Sequence, residues 1–203
     1  MKITFIGASH GLPEPNRKCS CTMIEVNGRY YFVDMGTPPI DYLVTAGIHV
    51  DAVKGIFITH MHGDHTNGLF SFADLISWFY KTADPVICLP NINSAEVINS
   101  WIKITKNSYR NLRYEEVQPG VIFNDGYIKV TAVPTLHTEC SYAYFMEAEG
   151  KSVLFTGDLA HPDKDFPLIA KEQETHLIVC EGAHFYALDY LPHLKACKQS
   201  LSI

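Results

Sequence analysis

The stretch "FITHMHGDHTNG", residues 57–68, runs from an apolar segment into four metal-capable side chains within six positions. His60, His62, Asp64 and His65 cannot all be packing a core, because burying unpaired imidazoles and a carboxylate is costly. The run 55–59 before them has the length and apolar content of a buried strand. A chain with this feature must end a strand where several polar side chains converge on one point. It must also bring further ligands there from elsewhere in the sequence.

Imidazoles and a carboxylate without a thiolate suit zinc, with manganese and iron as the alternatives. His60 and His62 straddle one residue at the strand end, so both rings can converge on one ion. Gly63 is expected to let the backbone turn tightly. Asp64 and His65 follow from the next turn, where a second ion could sit, and Asp64 is placed to cap a helix starting near His65. A single zinc takes four ligands, and two ions need more than this hexapeptide offers. His137, in "VPTLHTECS", and Asp158, in "LFTGDL", each follow a strand-like run. The two oxygens of Asp158 would allow it to bridge two ions.

The rest of the chain reads as sheets with helices arriving singly. Strand-like runs cover residues 2–6, 21–26, 30–34, 55–59, 86–89, 127–133, 141–147, 152–156 and 176–180. Asn27-Gly28 is a strong short-range hairpin signal, and Glu149-Gly150 marks a second hairpin. Helical spacing fits residues 39–46, 69–81, 94–104 and 188–198. In "LFSFADLISWFYK" the apolar face is wide enough to pack on a sheet, and Trp78, Phe79 and Tyr80 are expected in the core. "GIFITH" and "SVLFTGD" echo one another, each ending a strand with Thr just before a potential ligand.

No low-complexity segment or linker divides the 203 residues, of which 47% are hydrophobic, so a single domain over 1–203 is expected. The formal net charge of −6 argues against a nucleic-acid backbone as partner. Lys103, Lys106, Arg110 and Arg113 are read as a solvated helix face. The N-terminus lacks the h-region of a secretory signal, and no apolar stretch nears the ~18 residues of a membrane span, so a cytoplasmic protein is expected. The six cysteines then read as reduced thiols, and Cys19-x-Cys21 has the wrong spacing for a zinc or redox motif.

The ordered set "THMHGDH", "TLHTE" with "SYAYFME", and "FTGDL" resembles the metallo-β-lactamase fold superfamily of metallohydrolases. The resemblance covers nearly the whole chain. Together with "GASHGLPEPNRKCSC", it is most similar to the ribonuclease Z and cyclic-phosphodiesterase side of that superfamily. It implies an α/β (α+β) fold, a four-layer αββα sandwich of two mixed sheets. By position it implies that His60, His62 and His137 hold one metal, Asp64 and His65 a second, and that Asp158 bridges them. The family's further histidine would follow a strand beyond Ile203, so the chain is expected to lack the C-terminal strand and final ligand loop, with "QSLSI" as that strand's opening. His184 and His193 are the local substitutes for that ligand, or for a general acid. His10 is expected to line the cleft, and His49, His161 and His176 carry no assignment.

The expected chemistry is hydrolysis by a hydroxide that two divalent metals activate, with Asp64 orienting it as the catalytic residue. A phosphodiester of a small or short substrate is the leading expectation. In ribonuclease Z an arm that grips transfer RNA lies between the motifs matching His137 and Asp158, and here only 20 residues separate them. No long nucleic acid and no membrane partner is therefore expected, while a homo-oligomer stays open. The alternatives are a lactone or thioester (acyl) hydrolase of the same fold and a non-catalytic metal-binding scaffold or sensor.

Overall fold

A computed structural model describes residues 1–12, 14–106 and 108–198. The chain forms two compact units, residues 2–117, and residues 118–203 together with Met1.

In the first unit, β1 (Lys2–Gly7), β2 (Cys21–Val26) and β3 (Arg29–Val33) form an antiparallel meander. The β2–β3 hairpin turns at Asn27 and Gly28, whose φ values of 49° and 71° are the paired positive angles of a type I′ turn. The chain then crosses over repeatedly through α1 (Ile40–Thr45), α2 (Gly63–Trp78) and α3 (Asn93–Thr105). These connections add β4 (Val53–Phe57), β5 (Val86–Leu89) and β6 (Arg113–Glu116), each parallel to its neighbour. The sheet order is β1-β2-β3-β4-β5-β6. The helices cover one face of it: Leu69, Phe72, Ala73 and Ile76 of α2, with Ile98 and Ile102 of α3, share a core with Phe32, Ile56, Ile87 and Leu89. Burial of each such side chain contributes about 1.5–3 kcal/mol.

In the second unit, β7 (Gly120–Asn124), β8 (Lys129–Pro134), β9 (Tyr142–Ala148) and β10 (Lys151–Phe155) form a second antiparallel meander. Its hairpin at Glu149-Gly150 again carries paired positive φ, 53° and 68°. The chain passes through α4 (Pro162–Asp165) and α5 (Ile169–Glu172) to β11 (Leu177–Val179), which lies parallel to β10. The last described helix is α6 (Ala187–Lys195). Phe145, Leu154 and Ile178 from the sheet pack with Leu159, Phe166, Ala170 and Tyr190.

Two mixed sheets with helices match the expected class, and the nine anticipated strands are all present. Sequence periodicity missed β6 and β7. Both are edge strands with little buried surface, so "RYEE" and "GVIFN" carry no clean apolar alternation. The helix anticipated from residue 69 starts at Gly63, because its first turn is polar and shows no apolar period. Trp78 and Phe79 depart from the core expectation, being 39% and 61% exposed where α2 ends, while Tyr80 does pack on the core. Trp78 instead lies under Lys106, 4.9 Å from its ring centroid. The basic residues do not form one helix face either: Lys103 is on α3 and Arg113 on β6, while Lys106 pairs with Asp74 and Arg110 with Asp84. All six cysteines are free thiols. The strand anticipated at "QSLSI" lies outside the described residues.

Candidate metal centre

In a parallel sheet the C-terminal ends of neighbouring strands share one edge. The chain leaves β3 at Asp34 and β4 at Thr59-His60, so these residues meet there. Asp34 sits at φ 57°, a left-handed conformation that Asp tolerates at a cost of about 1 kcal/mol or more. Its N–H still donates to the Phe57 carbonyl, 3.0 Å. The kink turns its carboxylate beneath the histidine turn, where it is 2% exposed.

That buried carboxylate sets the histidines. Oδ1 of Asp34 accepts the Thr59 N–H at 2.8 Å, and Oδ2 lies 2.7 Å from His65 Nδ1 and 2.9 Å from Thr59 Oγ1. An ionised carboxylate only accepts, so His65 carries its proton on Nδ1 and its Nε2 presents a lone pair. The single proton of Thr59 goes to Asp34, so its oxygen accepts from His60 Nδ1, 3.1 Å away. His60, fully buried, is thereby also a Nδ1–H tautomer, with Nε2 carrying the electron pair. His60 Nε2 stands 3.0 Å from His62 Nδ1. Ligand atoms of one tetrahedral zinc are about 3.3 Å apart, from Zn–N bonds near 2.05 Å. The donor set therefore fits a divalent metal, and the hydrogen bonds behind it are of the kind that fixes ligand tautomers.

The loop after Asp34 presses on the same turn. Met35 N–H donates to the His65 carbonyl at 2.8 Å. A Cβ on Gly36 would fall 1.6 Å from the Asp64 carbonyl oxygen, so only glycine permits the approach. Asp64 lies in the first turn of α2, 3.6 Å from His65 Nε2. It does not cap that helix: the N-cap residue is His62, without a side-chain cap bond, and the helix starts before Asp64. Gly63 is helical rather than a tight turn, and its α-carbon faces the Asn67 side chain, 3.1 Å from where a Cβ would be. His10 is held by Leu12 N–H, and the neighbouring Gly11 lies against the Asp64 carboxylate.

In the second unit β8 and β10 both run antiparallel to β9, so their C-terminal loops emerge at one edge. These loops carry His137 and Asp158. His137 Nε2 lies 3.7 Å from Asp158 Oδ2, and Asp158 is 8% exposed. Thr135 and Ser141 close the His137 loop through a 2.9 Å backbone bond and a 2.8 Å hydroxyl bond. His184 joins them: its Nδ1 is 3.6 Å from Asp158 Oδ2, and the donor atoms of His137, Asp158 and His184 lie within 4.8 Å of one another. Glu181 supports this cluster, accepting Leu159 N–H at 2.8 Å, His184 N–H at 3.2 Å and the His184 Nδ1. Burial, then the neighbouring Glu181, Cys180, Asp158 and Asp165, drives the Tyr190 phenol well above its ordinary pKa.

His193 is placed elsewhere, bonded to Asp163 at 2.8 Å and stacked on Phe166. His49 and His161 serve as helix caps, and His176 bonds Ser152. The residues missed in the sequence are Asp34 and Glu181. Each is an acid at the end of a buried strand, and in "YYFVDMG" and "LIVCEG" that position is the signal the sequence carries, without naming a partner.

Residues 1–186 match the family of anti-Pycsar protein Apyc1. Among relatives, ribonuclease Z from Listeria innocua is 30% identical over 149 residues, covering 71% of this chain and 48% of its own. Ribonuclease Z from Methanosarcina acetivorans is 30% identical over 149 residues, covering 71% and 47%. The chain thus spans about half the length of these relatives. Among solved structures, the short form of human tRNase Z matches with a TM-score of 0.83 at 18% identity, covering 100% of this chain and 91% of that one. The metallo-β-lactamase fold protein YhfI from Bacillus subtilis matches with 0.76 at 17% identity, covering 98% and 83%. The fold is therefore the metallo-β-lactamase fold.

Proposed function

The chain belongs to the anti-Pycsar Apyc1 family, and we propose that it is a metal-dependent hydrolase acting on the phosphodiester of a small or short substrate. His60, His62 and His137 would hold one divalent metal, Asp64 and His65 a second, with Asp158 shared. Zinc is the favoured ion for this nitrogen and oxygen set. The observation that carries the reading is the buried Asp34–Thr59 network, which leaves Nε2 of both His60 and His65 as electron-pair donors. A surface cluster of histidines has no need of so exact a tautomer.

When bound, the metals would lower the pKa of water to about 7 and stabilise charge on the phosphoryl oxygens. Asp64 accepts a hydrogen bond from the attacking group and so orients it. His184, seated on the Glu181 carboxylate, is the residue able to carry a proton toward a leaving oxygen. His184 is favoured over His193 because it lies beside Asp158, whereas His193 bonds Asp163 and stacks on Phe166.

The short β9–β10 hairpin between His137 and Asp158 favours a small substrate over long RNA. The ribonuclease Z relatives by name act on RNA, so substrate size is the point to test. No helix among the described residues is long and apolar enough to cross a membrane. The acyl-hydrolase and non-catalytic alternatives are set aside because no observation favours them.

The first test is metal content by inductively coupled plasma mass spectrometry, followed by turnover of bis-p-nitrophenyl phosphate, a lactone and a thioester. About two metals per chain with turnover of the phosphodiester alone is expected. A fully loaded protein that turns over none of the three would leave a metal-binding scaffold. Asp64→Ala should lower turnover by about a thousandfold or more with the circular dichroism unchanged, as expected for loss of electrostatic and orienting groups.

A further inference from the structure

The ladder of the second sheet does not tie the His137 and Asp158 loops to each other. β8 and β10 are separated by β9, so their ends stand about 9.6 Å apart, two strand spacings. Yet His137 Nε2 and Asp158 Oδ2 face each other at 3.7 Å. One side chain joins the two loops. Asp165, the last residue of α4, accepts the Leu136 N–H at 2.7 Å on Oδ2. The same oxygen accepts the Ala160 N–H at 2.9 Å, and Oδ1 accepts the His161 N–H at 3.1 Å. Leu136 immediately precedes His137, and Ala160 lies two residues beyond Asp158.

We propose that Asp165 is a positioning residue for the metal centre, setting the spacing of His137 and Asp158 by clamping the backbones of their two loops. The inference rests on the metallohydrolase reading above. A carboxylate is the group this position requires, because all three partners are donors and an ionised carboxylate only accepts. Leu136 is 63% exposed, so its side chain adds little to fixing the loop and its N–H carries the constraint. An asparagine can keep the Leu136 and Ala160 bonds on its amide oxygen while its NH2 opposes the His161 N–H, so alanine is the variant that releases both loops.

The test compares Asp165→Asn and Asp165→Ala with Asp163→Asn, a neighbouring acid that touches neither loop's backbone through its carboxylate among the bonds described. Zinc affinity is measured by competition with a chromophoric chelator, and Co(II)-substituted protein is examined by visible absorption. Asp165→Ala should bind metal 10–100-fold more weakly, the usual effect of losing a group that orients ligands, with Asp165→Asn between it and the wild type. Their Co(II) bands should shift, and Asp163→Asn should match the wild type in both measurements. Hydrogen exchange gives a reading independent of metal: the Leu136 and Ala160 amides, protected in the wild type, should lose protection in Asp165→Ala. Wild-type affinity, unshifted Co(II) bands and retained amide protection in Asp165→Ala would overturn the proposal while the metallohydrolase reading stands. A wild type that takes up no metal overturns both.

Discussion

The Asp34 carboxylate acts on the site through protons rather than through its charge alone. Because His65 gives its Nδ1 proton to Asp34, and His60 gives its own to Thr59, both rings offer Nε2. Asp34→Asn would present an NH2 in place of one acceptor, inviting His65 to accept on Nδ1 and protonate Nε2. Asn tolerates the left-handed backbone there, so the fold should survive. Metal affinity should fall 10–100-fold in a chelator competition, with circular dichroism unchanged. The histidine motif itself was legible in the sequence because its members lie within six positions. Asp34 was not, because its partners Thr59 and His65 are 25 and 31 residues away, and only the parallel pairing of β3 with β4 joins them.

Among the elements, the loop after β3 and the first turn of α2 are the tightest juncture. Gly36→Ala would push a methyl group into the Asp64 carbonyl, with no flexible side-chain end to yield. A loss of about 3 kcal/mol or more is expected in urea unfolding, at the upper end for overpacking. Strand β5 carries a different signature. Burial, then the Glu115 charge, pushes the Cys88 thiol from its ordinary 9.0 up to about 12. Between those values the unfolded chain releases a proton that the folded chain keeps, so stability is full below pH 9 and falls as pH rises toward 12. Thermal unfolding of Cys88→Ala across pH 8–11 should show a shallower decline than the wild type. Strands with two buried faces, such as β4 and β5, were readable from apolar runs, whereas β6 and β7, exposed at sheet edges, left no such pattern.

At the scale of the whole molecule, the proposed metal binding would be linked to folding stability, because donors far apart in sequence come together only on folding. At metal concentrations about 100 times Kd, one site adds about 2.7 kcal/mol. For a chain of this size that corresponds to about 5–10 °C in Tm. Calorimetry after EDTA treatment should show a fall of that size, restored by zinc; an unchanged Tm would mean that the donor clusters hold no ion. Local chemistry decided much of the protein without reference to the fold. The histidine turn, the Asn27-Gly28 and Glu149-Gly150 hairpins, and the buried strands follow from interactions among residues close in the chain. Tertiary structure decided what depends on distant partners. It chose His184 over His193 beside Asp158, gave His49 and His161 to helix caps, and placed Asp34 behind His65, Glu181 behind His184 and Asp165 between the His137 and Asp158 loops. The physical reason is that spacing specifies which side chains can meet within a turn or a hairpin. Which carboxylate orients a ring or clamps a loop depends on which strand ends share a sheet edge, and that is set by pairings between segments far apart in the sequence.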